Sequence, residues 1–273
     1  MDVREEKIVK RLQENYDLLV DMGYEVVGVF NYGSDNYSLS YEGSDIDCKA
    51  VVVPKFNDFV MGKKEVSTTH VWENDEHLEI KSLKTMLDTI KKQNINFVEI
   101  LFTKYRIMNP KYEAMFQPMF DNNEAIAHYN NYASINCMVG MVMEKYKALE
   151  HPYPATIKEI EERGFSSKQL HHIVRIAEFM ERYIGGVSYA ECLISETPEE
   201  LIDLKRGIIK GEQIPVEKAR SVAKFHVELT KSMKDVYFEN NPVEINIDVE
   251  TLMNDVLLNI IRHSFVSELK EMN

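Results

Sequence analysis

Val26 to Pro54 reads VVGVFNYGSDNYSLSYEGSDIDCKAVVVP, and the way its two apolar runs are separated decides the fold. Val26 to Phe30 is β-branched and aromatic and is bounded by Gly33, and Cys48 to Val53 is a second such run bounded by Pro54, so two buried strands are expected. Between them lie a Gly-Ser turn and two acids. Successive strand residues point to opposite faces, so Asp45 and Asp47 project to one side while Ile46 goes to the other. Two carboxylates on one face repel each other unless a cation lies between them, and hard oxygen ligands with room for water and phosphate suit Mg²⁺. Gly33 lets the backbone come close to a ligand. Ser34 sets a hydroxyl beside free N–H groups where the strand turns into an expected short helix around Asp35 to Leu39. The bland alternative is that Gly33 and Gly43 are turn glycines and that the two acids cap a strand.

Outward from this stretch, composition sets limits. At 273 residues the chain exceeds the usual single domain, so a catalytic part and a helical part are expected, divided at 1–120 and 121–273. A hydrophobic content of 44% with only 11 Gly and 8 Pro excludes a disordered chain. The 32 basic residues against 45 acidic ones give −13, which repels nucleic acid at long range and argues against a protein that coats a duplex. MDVREEKIVK has no apolar leader, and apolar tracts such as Ile135 to Met143 are too short for a bilayer, so a soluble, cytoplasmic protein with no membrane partner is expected. Cys48, Cys137 and Cys192 are widely spaced without a C-x-x-C, and read as reduced thiols.

Along the chain, Arg4 to Met22 carries Ile8, Leu12, Leu18 and Leu19 at helical spacing and stops at Gly23. Val66 to Trp72 reads as a strand and Asn74-Asp75 as a turn, and His77 to Lys81 alternates so that Leu78 and Ile80 bury while Glu79 faces the other way. Leu83 to Ile90 is an amphipathic helix, and Pro110 and Pro118 frame another. From about Glu124 no strand is evident and helical periodicity dominates: Ile126 to Leu149, Ser167 to Ile184, Glu199 to Ile209, Pro215 to Phe238 and Val249 to Leu269. The class is therefore α+β. Within GFSSKQLHHIVRIAEFMERYIGG, Ser166 or Ser167 is the expected N-cap, and Lys168, His172 and Arg175 fall at i, i+4 and i+7 on one helix face, a stripe suited to a polyphosphate. The alternative for this stripe is a solvated face with chance spacing.

Gly33-Ser34, ten residues, then Asp45-Ile46-Asp47 resembles the hG[GS]…[DE]h[DE] signature of the DNA polymerase β-like nucleotidyltransferase superfamily. GSDNYSL with SDIDCKAVVVP is similar to the branch associated with RNA repair in bacteria and phages, as are QNINFVEILFT, the Lys-x-x-x-His-x-x-Arg pattern and the helix ending in Lys205-Arg206-Gly207. The resemblance implies a small mixed sheet followed by a helical domain closing a nucleotide cleft. It also implies a third carboxylate, for which Glu79 is the matching position and Asp75 and Glu76 the rivals. It further implies two Mg²⁺ ions (Mn²⁺ the alternative) on Asp45, Asp47 and Glu79, with nucleotide contacts from Gly33, Ser34, Lys168, His172, Arg175 and Arg206. The expected reaction moves a nucleoside monophosphate from a triphosphate, ATP among them, to a hydroxyl acceptor, with an RNA end favoured. Tyr37, Trp72 and Tyr105 are candidate base-stacking residues. Two positions depart from the pattern: Tyr37-Ser38 stands where relatives often read Tyr-Gly, and Asp35 adds a negative charge beside the expected triphosphate. Asp35 supports the alternative of a non-catalytic protein that keeps the fold to bind a nucleotide or a partner chain. The acceptor, base preference and oligomeric state are left open.

Overall fold

The computed structural model describes residues 2–41, 43–154 and 156–271. Helix α1 (Val3–Asp21) begins with a capping box: the Asp2 carboxylate accepts the Arg4 N–H while Glu5 accepts the Asp2 N–H. It stops before Gly23, whose φ of +80° is left-handed. Strands β1 (Glu25–Asn31) and β2 (Cys48–Val53) follow the two apolar runs, and then come α2 (Phe56–Val60), β3 (Ser67–Val71), β4 (His77–Ser82), α3 (Leu83–Lys91), α4 (Ile95–Val98), β5 (Arg106–Met108), α5 (Pro110–Asp121) and α6 (Asn123–Ala127). The sheet order is β3-β4-β2-β1-β5. Among the described residues only β2 and β4 pair in parallel, so the sheet is mixed. β1 and β2 are central and covered on both faces, which is why they read as continuous apolar runs. β4 alternates because its Leu78 and Ile80 join the core against Ile8, Leu12 and Leu19 of α1 while Glu79 faces away.

Gly28 fixes how closely β5 can approach β1. A β-carbon there would lie 2.7 Å from Met108 Sδ and 3.1 Å from the Ile107 carbonyl oxygen, and the second of these is backbone that cannot swing aside. We expect Gly28→Ala to destabilise the fold by about 1–3 kcal/mol, read as a lower urea midpoint with an unchanged slope.

The chain continues through α7 (Asn131–Ala148), α8 (Ile157–Arg163), α9 (Ser167–Ile184), α10 (Tyr189–Leu193), α11 (Pro198–Arg206), a hairpin of β6 (Ile208–Ile209) and β7 (Glu212–Gln213), α12 (Val216–Asn240) and α13 (Ile247–Glu271). The hairpin corrects the expectation of no strand after Glu124. Its turn, Lys210-Gly211, has positive φ at both residues, 51° and 81°, and a Lys in the first place is a weak signal for such a turn. Helix α9 is the centre of this part, with α7, α11 and α12 packed around Leu170, Ile173, Ile176, Ala177 and Met180.

Chain contacts divide the molecule into two units, the first drawn from Met1–Asn36, Gly43–Tyr129 and Ile245–Asn273, the second from Tyr37–Glu42 and Asn130–Glu244. The linear boundary at 120 is therefore corrected. Helix α13 returns to the first unit, where it packs on α5 and α3 and sets Phe265 against Phe56 and Phe59 of α2. Its buried stripe of Val249, Met253, Val256 and Ile260 is visible in sequence, but a stripe does not say which surface it will meet. Among the described residues no helix is long and apolar enough to cross a membrane.

Candidate active site

β1 runs straight into the Gly-Ser turn. The Tyr32 N–H donates to the Asp47 carbonyl at 3.1 Å, and the Asn31 amide donates to the same oxygen at 3.2 Å, so the turn is fastened to the start of β2. Gly33 has φ +86° with open space where a β-carbon would stand, and its N–H donates to buried Glu99 at 3.3 Å. Asn36 N–H closes the turn on the Gly33 carbonyl at 2.9 Å. The short helix expected over Asp35 to Leu39 does not form: the segment is turn, and Ser38 sits at φ +57°, a left-handed conformation that glycine adopts without strain. Asp35 is not a loose charge beside the turn. Arg4 grips it with two hydrogen bonds, 2.9 and 3.0 Å, and its side chain is only 3% exposed, so its charge is neutralised within the protein. Arg4, Asn31 and Glu99 are marked by none of the motifs that the sequence offers. A polar residue inside an apolar run, as in NFVEILF and VFNYG, was the available signal.

The acids are arranged differently from expectation. Ile46 enters the core while Asp45 is exposed and Asp47 half-buried, as strand alternation predicts. Asp47 Oδ1 accepts the His77 N–H at 3.0 Å. Glu79 lies directly across from Lys49 in the parallel β2–β4 register, and Lys49 Nζ meets its carboxylate at 2.7 Å. Lys81 meets the other oxygen at 3.2 Å. Lys49 is only 3% exposed, with its ammonium over the rings of Tyr32 (3.5 Å) and Phe97 (4.4 Å). Burial pushes the Glu79 pKa up, but the attraction of Lys49 and then Lys81 outweighs it and holds the carboxyl below its usual range. Of the rivals, Asp75 occupies a turn at φ +63°, and Glu76 is buried, accepting the Ile46 N–H at 3.2 Å and pairing with Arg11 at 2.6 Å. Among the described residues no group of three or more His, Cys, Asp or Glu side chains is placed to hold a metal ion, which corrects the expectation that Asp45, Asp47 and Glu79 converge. The reason is local: a two-residue period puts Lys49 on the face of Asp47 and Lys81 on the face of Glu79. Mg²⁺ takes one or two carboxylates and completes its shell with water and substrate phosphate. Asp45 and Asp47 would be the carboxylates. Pulling Glu79 onto a second ion would strand a buried ammonium.

In the second unit, the expected cationic stripe is also corrected. Lys168 is exposed, but Arg175 is 6% exposed and lies 4.0 Å over the Tyr37 ring. Burial, and then the neighbouring Arg175 charge, push the His172 pKa well below its ordinary value, so this imidazole is neutral at pH 7. Two cations and a neutral ring stand where three charges were expected. Arg206 is exposed, 5.0 Å from the Tyr41 ring. Neither serine caps α9 through its side chain as expected: Ser166 makes no cap bond, and the Ser167 hydroxyl bonds Glu159 and the Lys205 carbonyl. The aromatic candidates are likewise committed. Tyr37 lies under Arg175, Trp72 donates to Asn15 at 2.9 Å beneath Arg11, and Tyr105 donates to Glu5 at 2.8 Å.

His171, beside the stripe, yields a pH test. It is buried with Nδ1 2.8 Å from the Leu201 carbonyl, and burial, the largest influence, pushes its pKa down to about 4. A histidine whose folded pKa is depressed lets the unfolded chain bind more protons, so stability falls as pH drops from about 6.5 toward 4. Thermal melts of the wild type should decline across that window, and His171→Gln should flatten the slope.

No family model matches the chain, and no curated protein matches it. Among solved structures, it is similar to a nucleotidyltransferase-like protein from Exiguobacterium sibiricum 255-15, at 12% identity, covering 83% of this chain and 78% of that chain with a TM-score of 0.31, a likeness too slight to assign residues.

Proposed function

We propose that the protein is a nucleotidyltransferase that binds a nucleoside triphosphate at the Gly33–Ser34 turn and moves its nucleoside monophosphate to a hydroxyl acceptor, releasing pyrophosphate. The observation that supports this reading is the Tyr32 N–H bond to the Asp47 carbonyl, 3.1 Å long, which keeps an open glycine turn and the Asp45-x-Asp47 pair in fixed register. The turn at Gly33 and Ser34 would face the β- and γ-phosphates, with the Gly33 N–H given to Glu99 and the open space at Gly33 admitting the phosphate. Asp45 and Asp47 would hold a divalent Mg²⁺ or Mn²⁺, which when bound would neutralise phosphate charge. The Arg4–Asp35 pair removes a like charge that would otherwise repel the triphosphate. In the reaction the acceptor hydroxyl loses its proton to solvent as its oxygen bonds to the α-phosphorus, and the bond from that phosphorus to the bridging oxygen of pyrophosphate breaks. An RNA end is the acceptor the sequence resemblance favours.

A second reading, a nucleotide-binding protein without transferase activity, is favoured by one feature: Glu79 is committed to Lys49 and Lys81. Incubation with each labelled nucleoside triphosphate, Mg²⁺ or Mn²⁺, and a panel of RNA ends and small hydroxyl acceptors, scored for pyrophosphate release, separates the two when run beside equilibrium binding of a non-hydrolysable analogue. Pyrophosphate release supports the transferase. Binding without release supports the second reading, and failure to bind any nucleotide removes both.

A further inference from the structure

The geometry points to a second phosphate-binding site on the first unit, formed by the basic face of α1, and we infer that it takes the phosphate groups of the acceptor. The identification of its ligand as an acceptor rests on the transferase reading above; the site itself rests on the following features. A cavity of about 480 Å³ opens between α1 and the segment Gly43–Ile46. That volume lies within the ordinary range for pockets that hold small ligands. Helix α1 lines it with Arg4, Lys7, Lys10 and Arg11, and Asp45 stands on the opposite wall.

These four cations do different work. Arg4 and Arg11 build the walls: Arg4 donates to the Ser44 and Asp45 carbonyls at 2.7 and 2.9 Å, and Arg11 pairs with Glu76 at 2.6 Å and Glu14 at 2.9 Å. Lys7 is exposed and takes no part in the ion pairs that hold its neighbours. Lys10 reaches Glu14 only at 3.6 Å with most of its side chain in water, a pair that solvent and salt screen heavily. Two exposed ammonium groups therefore face a concavity whose acids are Glu14 and Glu76, both engaged with Arg11, and Asp45 on the opposite wall. On a chain of net charge −13 a polyanion is repelled from most of the surface, so a local cationic concavity decides where it can settle. Asp45 on the far wall places whatever binds there beside the carboxylate proposed to hold the cation.

Phosphate esters reach such a site from an oligonucleotide or from a mononucleotide, and one experiment separates them. Wild type and Lys7→Gln/Lys10→Gln are compared for binding of a fluorescent single-stranded RNA ten-mer, of adenosine 5′-monophosphate, and of a non-hydrolysable ATP analogue with Mg²⁺, each over a range of salt. Both lysines are exposed, so the melting temperature should not move. The expected result is a roughly tenfold weaker RNA affinity and a log–log salt slope smaller by about 1.4, the value for two lost single-strand phosphate contacts, with analogue binding unchanged. Lysine-dependent binding of the mononucleotide alone upholds the phosphate site and makes its source a small molecule. Equal affinities and slopes for both phosphate ligands in the two proteins would overturn it. Absence of analogue binding in the wild type counts instead against the transferase reading, and leaves the lysine comparison to be judged on its own.

Discussion

Replacing Asp45 and Asp47 together by asparagine is expected to remove the proposed nucleotidyl transfer, with a loss of roughly a thousandfold or more, while the melting temperature stays where it was. The magnitude follows from the several kcal/mol that a bound cation contributes to stabilising phosphoryl-transfer charge, at about 1.4 kcal/mol for each tenfold in rate. Retention of the fold follows from what each side chain does in the protein. Asp47 accepts the His77 N–H through Oδ1, and an asparagine carbonyl oxygen can accept the same bond. Asp45 is exposed, and the bond that Arg4 makes to this residue goes to its backbone carbonyl, which the substitution leaves in place. Mg²⁺-dependent analogue binding, measured on the same preparation, should weaken in parallel with transfer. A variant that transfers at the wild-type rate would dismiss Asp45 and Asp47 as the cation's ligands. A variant that loses transfer because it has lost its melting transition would show that the acids were structural.

How much of this was legible in the sequence differs from one residue to the next, for physical reasons. β2 was readable to the residue because a buried central strand is an uninterrupted apolar run closed by Pro54. α9 was readable because its amphipathic period is strong and Gly185 follows it. The face carrying Asp47 was readable from alternation alone. What period cannot report is the neighbour across the sheet. That Glu79 opposes Lys49 depends on the parallel register of β2 with β4, a long-range fact, although the Lys at i+2 from Asp47 already announced a cation on the same face. The same limit explains Asp35, whose partner Arg4 lies 31 residues away. It explains α13 as well, whose apolar stripe fits a helical bundle or the underside of a sheet domain equally well until its contacts are known. Exposure was the other blind spot. The positions of Lys168, His172 and Arg175 on one face were correct in angle, but depth along a side chain decides which of them keeps a charge in reach of solvent.

Glu79→Ala, by contrast with the aspartate pair, lowers stability first. Lys49 would be left 3% exposed without its closest carboxylate, and removing one partner of a buried ion pair costs about 3–5 kcal/mol. Glu79 is itself partly open to solvent, and the rings of Tyr32 and Phe97 continue to stabilise the ammonium, so the lower end, about 3 kcal/mol, is expected. That corresponds to a fall of roughly 10 °C in the melting of the first unit. The pH dependence has a fixed sign: because the folded carboxyl is held below 4.5, its contribution is complete above that value and disappears as pH falls through the lowered pKa. Wild type should therefore lose its advantage over Glu79→Ala on acidification below about 4.5. Removing both charges, as in Lys49→Met/Glu79→Leu, should recover most of the loss, since an apolar pair of similar volume carries no desolvation penalty. The non-additivity of that cycle measures the pair directly. If Glu79→Ala melted like the wild type but bound Mg²⁺ and nucleotide more weakly, Glu79 would return to the cation and a two-ion mechanism would be restored. If it melted early and bound nucleotide normally in the cold, Glu79 would be the partner of a fixed ammonium beside the two aspartates and not a ligand of the cation.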